Sequence, residues 1–246
     1  MAAKATLIAF LLATIGAITA RDIPDFLHIC NTRDPQYNDC LLESVRTLQP
    51  YLKTGVPDYN VPSLEPLKLK KLTFTPTNSL RLQASDIDVF GASNYIPHKA
   101  RADTEKLLYA IDIELPNIIV EGKYEMNGRV LLLPIHGSGG LHGNFSNCIG
   151  AVRVLGEKYT EEGVEKIRIK DFNLKISVGH GTLKLDNLFG GEQVLGDVVN
   201  NAINNNFDLF MKELLPLVEK ALSKAFQNIA DNIVQQFSYE QLFPNA

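Results

Sequence analysis

Histidine, glycine and serine stand together in His136-Gly137-Ser138-Gly139-Gly140, an arrangement that could turn backbone N–H groups toward a developing oxyanion. That chemistry also needs a nucleophile on a GxSxG elbow, and the chain has none. It likewise lacks a Walker-type phosphate loop and an HExxH helix. The segment therefore reads as a glycine-rich bend or bulge between two strands. His136, His142 and His180 have neither two-histidine helical spacing nor a supporting carboxylate pattern, so no metal is expected. Asp86 and Asp88 read as a solvated strand edge rather than a general acid–base pair. Lys68, Lys70 and Lys71 are the densest basic cluster, on a solvated strand face. With 24 Lys and Arg against 28 Asp and Glu, the net charge of −4 excludes a nucleic-acid binder that relies on bulk positive charge. No catalytic set and no cofactor site emerges, so the chain is not expected to be an enzyme.

What the chain does carry is apolar surface at regular intervals. Leu41, Leu42, Val45, Leu48 and Leu52 recur at three- and four-residue steps, which predicts a short N-terminal helix over Asn38 to Tyr51, ended by Pro50 and Gly55-Val56-Pro57. From Leu67 to about Leu188 the period becomes two. Tyr109, Ile111, Ile113 and Leu115 alternate with Asp112 and Glu114; Val120, Tyr124 and Met126 oppose Glu121, Lys123 and Glu125; Leu174, Ile176 and Val178 alternate with Asn173, Lys175 and Ser177. One dry face and one wet face per strand is the pattern of an antiparallel sheet covered on a single side. Asn127-Gly128 and Glu162-Gly163 supply turn signals. From Leu195 to Phe237 apolar residues recur at steps of three to five, with Asp197, Asn201, Asp208, Glu219 and Asp231 in the gaps. A continuous helix there would be on the order of 60 Å long, and Pro216 should kink or split it. Its broad stripe suits burial in a sheet that curls around it. A solid core and an apolar cavity draw on the same inward residues, so alternation leaves both open.

Met1 to Lys4 is a short basic start, followed by an apolar run of about fourteen residues and a small-residue exit at Thr19-Ala20. That is the grammar of a cleaved signal peptide over residues 1–20, leaving one secreted domain over 21–246. Cys30 and Cys40 would close a small loop in an oxidising compartment, two free thiols being the alternative. Cys148 is left over in apolar surroundings, as a buried inert thiol. Asn144-Phe145-Ser146 is the glycosylation sequon.

The residues resemble the insect takeout and juvenile-hormone-binding proteins, a branch of the tubular lipid-binding fold. The resemblance runs through Cys30 and Cys40, Asp86-Ile87-Asp88-Val89-Phe90-Gly91-Ala92, Leu131-Leu132-Leu133-Pro134-Ile135-His136-Gly137-Ser138-Gly139, Leu185-Asp186-Asn187-Leu188-Phe189-Gly190-Gly191, Asn204-Asn205-Asn206-Phe207 and Leu242-Phe243-Pro244. Phe207 stands where tryptophan is common in that family, and Cys148 has no partner for the second disulfide of moth hormone carriers, which points to the takeout-like branch. The resemblance implies an α+β fold: a long C-terminal α-helix wrapped by a strongly curved antiparallel β-sheet, enclosing an elongated hydrophobic tunnel. It also implies a monomer secreted into haemolymph or another extracellular fluid, with links to circadian, feeding or chemosensory physiology. The expected function is a carrier for a small lipophilic ligand, with membrane or receptor docking as the alternative. Candidate tunnel-wall residues are Val89, Tyr109, Ile111, Ile113, Val120, Tyr124, Met126, Leu133, Phe145, Ile176, Val178, Phe207, Phe210 and Leu214. Tyr109 and Tyr124 are the inward phenols suited to hydrogen-bond an ester, epoxide or carbonyl.

Overall fold

The computed structural model describes residues 22–74, 80–130 and 133–245; the expected signal peptide lies outside them. The alternating region forms β1 (Leu67–Thr73), β2 (Leu80–Phe90), β3 (Ile96–Asp103), β4 (Leu108–Val130), β5 (Leu133–Glu161) and β6 (Val164–Leu185). All pairings are antiparallel. The order is β1-β2-β4-β5-β6, with β3 also paired to β4. The sheet is curved and open, and the C-terminal helices lie along it.

β4, β5 and β6 span 23, 29 and 22 residues, far beyond the usual five or six. They stay intact because each change of apolar phase is absorbed inside the strand. In β4 the inward set passes from Ile111, Ile113 and Leu115 to Ile118 and Val120 across Pro116. In β5 the matching point is Asn147, in the left-handed region at φ 53°. The ladder skips there, from Leu115–Cys148 to Asn117–Ser146 and from Cys148–Val178 to Ser146–His180. A transverse crease thus crosses three strands without ending any of them, and the register is the same on both sides of it. In β2 a register shift between Ser85 and Asp88 reconciles Leu82 and Ala84 with Ile87 and Val89.

Two turn expectations part company here. Glu162-Gly163 does join β5 to β6, with φ of 52° and 82° at the two loop residues and Glu161 facing Val164. Asn127-Gly128 does not turn: Gly128 lies between Leu80 of β2 and Ile135 of β5, and pairing on both sides keeps β4 extended. His136 to Gly140 is likewise no bend between strands but the interior of β5. Its glycines make room for the chain leaving β6. A Cβ on Gly139 would sit 2.4 Å from the Asp186 carbonyl oxygen, and one on Gly137 2.9 Å from that of Asn187.

The N-terminal helix is two: α1 (Tyr37–Thr47) and α2 (Gln49–Thr54). Pro50 falls in the first turn of α2, where its missing N–H costs nothing, so it starts a helix rather than ending one. Cys30 and Cys40 form a disulfide, Cα–Cα 5.9 Å, at the start of α1. Gln49 Nε2 donates to the Ser93 and Tyr95 carbonyls at 2.7 and 3.0 Å, fixing α2 to the sheet end.

The C-terminal helix is also divided, into α3 (Gln193–Asn205) and α4 (Phe207–Val234), with α5 (Tyr239–Leu242) after them. The break is at Asn206, φ −120° and ψ 36°, and not at Pro216. Asn206 Nδ2 donates to the Ala202 carbonyl at 2.8 Å, the local competition for backbone groups that interrupts helices. Pro216 stays inside α4 on its exposed face, with Lys212 exposed one turn earlier, where an unpaired carbonyl can reach water.

β6 is an edge strand, and the helices complete it with side chains. The Leu185 and Leu183 N–H groups donate to Asn200 Oδ1 and Asn204 Oδ1 at 2.9 and 2.8 Å, and the two amides donate back to the same residues' carbonyls at 3.0 and 2.8 Å. Farther along, Ile176 N–H donates to Glu219 Oε1 at 2.8 Å, Leu174 N–H to Ser223 Oγ at 3.0 Å and Ile169 N–H to Asp231 Oδ1 at 2.7 Å. Gln227 Nε2 donates to the Ile169 carbonyl at 3.0 Å. The steps 200, 204 and 219, 223, 227, 231 mark one helical face. Across the molecule, Leu217, Val218, Leu222 and Phe226 of α4 pack on Leu67, Leu69 and Leu72 of β1. The helix therefore closes the open sheet, with a polar seam on β6 and an apolar seam on β1.

Asn204→Leu removes both partners from the buried Leu183 backbone and should cost about 2–3 kcal/mol in urea unfolding. Asn201→Leu, on the exposed side of α3, should stay within about 0.5 kcal/mol.

Candidate functional site

Between the inner sheet face and α4 lies a cavity of about 580 Å³. Val89, Ile111, Ile113, Val120, Tyr124, Met126, Phe145, Ile176, Val178, Phe210 and Leu214 line it, brought together from β2, β4, β5, β6 and α4. Val45, Leu48 and Leu52 close one end from α1 and α2. Among the described residues, no charged residue, amide or aliphatic hydroxyl belongs to the lining.

Tyr109 is not in this wall. Its ring lies 6.0 Å from Phe243, in the cluster of Leu107, Ile167 and Tyr239 where α5 covers the start of β4. Burial, with Tyr37 and Tyr239 alongside, pushes its hydroxyl far above the ordinary phenol range. Phe207 is outside the wall as well. It sits 6.3 Å from Phe145 over Gly181, where an added Cβ would come within 2.6 Å of either ring. It seals the interior that Phe145 faces. The side chain of Leu133 falls outside the described residues.

Sequence reasoning missed Leu67, Leu69, Leu72, Leu82 and Ile87, and on α4 Met211, Leu215, Val218, Leu222 and Phe226. The signal in β1 was available: Lys68, Lys70 and Lys71 face solvent, so the leucines between them face in.

Three wall residues carry ionisable groups. Tyr124 Oη donates to the Asp186 carbonyl and Tyr95 Oη to the Val45 carbonyl, each at 2.7 Å. Burial pushes both phenols up to about 12, the Asp186 charge adding to the effect on Tyr124. Cys148 is free and buried, and burial pushes its thiol up too.

His136 packs edge-on against Phe189 at 4.7 Å, and the Ser138 backbone carbonyl accepts from Asn187 Nδ2 at 2.8 Å. Asp86 and Asp88 pair separately with Lys123 and Lys68, both at 2.9 Å. Among the described residues, the one group of three potential metal ligands within 4.8 Å is His28, Cys30 and Cys40. The disulfide consumes both of its sulfurs. Asn144 is exposed on the outer face of β5.

Comparison with known proteins gives concordant findings. The profile of the family described as Haemolymph juvenile hormone binding protein matches residues 7–244. The Circadian clock-controlled protein daywake of Drosophila melanogaster is 24% identical over 231 residues, covering 89% of this chain and 88% of that protein. A protein of Schistocerca gregaria named for binding beta-carotene is 21% identical over 216 residues, covering 87% and 86%. The crystal structure of Epiphyas postvittana Takeout 1 superposes with a TM-score of 0.73 at 24% identity, covering 88% of this chain and 99% of that one, which shows the fold.

Cys148, with its raised pKa, should react with a small thiol reagent at pH 8 at least about tenfold more slowly in the native protein than after unfolding. Thiol titration should then count one group per chain before reduction.

Proposed function

The chain belongs to the haemolymph juvenile hormone binding protein family, and on that footing we propose that it is a secreted, non-catalytic carrier of one small, elongated lipophilic molecule. The observation that carries this reading is the hollow of about 580 Å³ with no charge among the described residues of its lining. That volume is within the roughly 300–1,000 Å³ of small-molecule sites. Burying a fifteen-carbon chain at about 0.8 kcal/mol per methylene yields roughly 12 kcal/mol gross. A micromolar complex needs about 8 kcal/mol, leaving a margin for association and ordering costs. The proposed contacts are the candidate residues that line the cavity, from Val89 to Leu214, and the ligand class is terpenoid or fatty-acid-like.

Secretion is supported by the leader-like residues 1–20, the Cys30–Cys40 disulfide and the accessible sequon at Asn144. No helix among the described residues is long and apolar enough to cross a membrane. The likeness to a clock-controlled protein supports a role in daily physiology.

Organic extraction of the secreted protein followed by mass spectrometry should recover a lipid. The emptied protein should then take up N-phenyl-1-naphthylamine with a rise in fluorescence. Ile113→Trp, which grows a ring into the void, should weaken that uptake at least about tenfold while leaving Tm within a few degrees. A protein that yields no lipid and ignores the probe would sink the carrier reading.

A second reading, docking to a membrane or receptor, is favoured by one observation. Val194, Leu195, Val198 and Leu209 on α3 and the start of α4 are between 49% and 69% exposed. If docking is their use, the protein should co-sediment with vesicles at high salt, and Val194→Asp with Val198→Asp should abolish this without changing probe uptake.

A further inference from the structure

Among the described residues, the side chains of the cavity wall offer an anion no charged or amide donor. Among the described residues its side-chain hydroxyls belong to Tyr95 and Tyr124 alone, and each has one proton, already donated to the Val45 or Asp186 carbonyl at 2.7 Å. What these oxygens present inward is lone-pair density, which repels a carboxylate. The wall strands pair with one another in the ladders of β1, β2, β4, β5 and β6, and at the β6 edge the Leu174, Ile176, Leu183 and Leu185 amides donate to Ser223, Glu219, Asn204 and Asn200. The remaining side-chain polar hydrogen among the described lining residues is the Cys148 thiol, a weak donor. Asp186 and Glu219 adjoin wall residues in sequence but are not part of the lining.

We infer that the cavity is a charge filter: it admits neutral lipids, such as hydrocarbons, esters and ketones, and admits a fatty acid only in its protonated form. This rests on the carrier reading and narrows its ligand class. An ionised carboxylate inside would keep the several-kcal/mol desolvation cost of a buried ion with no partner to offset it. Picking up a proton is cheaper, and that cost grows tenfold in affinity for each pH unit above the carboxyl pKa, about 4.3 for a model carboxylate. Near pH 7.3, where about one molecule in a thousand is protonated, the fatty acid as a whole therefore binds on the order of a thousandfold more weakly than a matched ester. The protein wall contributes no competing titration there. Tyr95 and Tyr124 stay protonated up to about 12, and Cys148 above its ordinary value, all three through burial.

The test uses the delipidated, disulfide-intact protein loaded with N-phenyl-1-naphthylamine. Dodecanoic acid and methyl dodecanoate, both below their aggregation limits, compete for it between pH 6.5 and 8.5. The ester's apparent Kd should change less than about twofold, while that of the acid rises about a hundredfold. Equal competition by acid and ester at pH 7.5, or an acid Kd flat with pH, would overturn the filter while leaving the carrier reading intact. The latter result would place the carboxylate in water at a cavity mouth. Probe uptake that neither lipid reverses would overturn the carrier reading, and the filter with it.

Discussion

The free edge of β6 is the constraint from which the rest of the architecture follows. An uncovered strand edge must find hydrogen-bond partners or stay in water. Here the partners are Asn200, Asn204, Glu219, Ser223, Gln227 and Asp231, held on one side of α3 and α4. Fastening that side to the edge fixes the rotation of the helix, so its apolar stripe points across the sheet toward β1. It also fixes the distance. A helix pinned to a rim cannot settle into the hollow of the sheet, and the inward side chains of β4, β5 and β6 are left facing space.

Glu219 shows how much this seam matters to its parts. It is a buried carboxylate, yet it accepts from the Ile176 amide at 2.8 Å and from Lys175 Nζ at 2.7 Å. An anion with two such donors is tolerated where a lone one would not be. The described lining of the cavity a few residues away has no comparable side-chain donor, and the contrast separates the polar chemistry that builds the scaffold from the apolar chemistry of its interior.

Much of this was legible in the residues. Period-two alternation located the strands, and the Leu195–Phe237 stripe located the helices, because both reflect a dry side and a wet side. The seam was not legible. Glu219 and Asp231 look like solvent-facing gap fillers, since a helical pattern shows which residues are polar but not whether a strand edge stands beside them. Asn206 ended the helix where Pro216 was expected to, because proline on an exposed face sacrifices little and asparagine competes for the backbone. Tyr109 shares the phase of Ile111 and Ile113 but lies where α5 covers the sheet end, so phase gave its face and not its neighbours. Hollow and solid interiors draw on the same residues, and only the helix position, set at a distance in sequence, decides between them.

The opposite margin of the sheet is treated differently. Lys70 and Lys71 of β1 are exposed, and Lys68 beside them pairs with Asp88 on the neighbouring strand. Strand-to-strand stacking of two copies along that margin would force rows of ammonium groups together, and edge lysines are a common guard against such polymerisation. The lysines of β1 thus discourage the edge-to-edge pairing that an uncovered strand would otherwise invite.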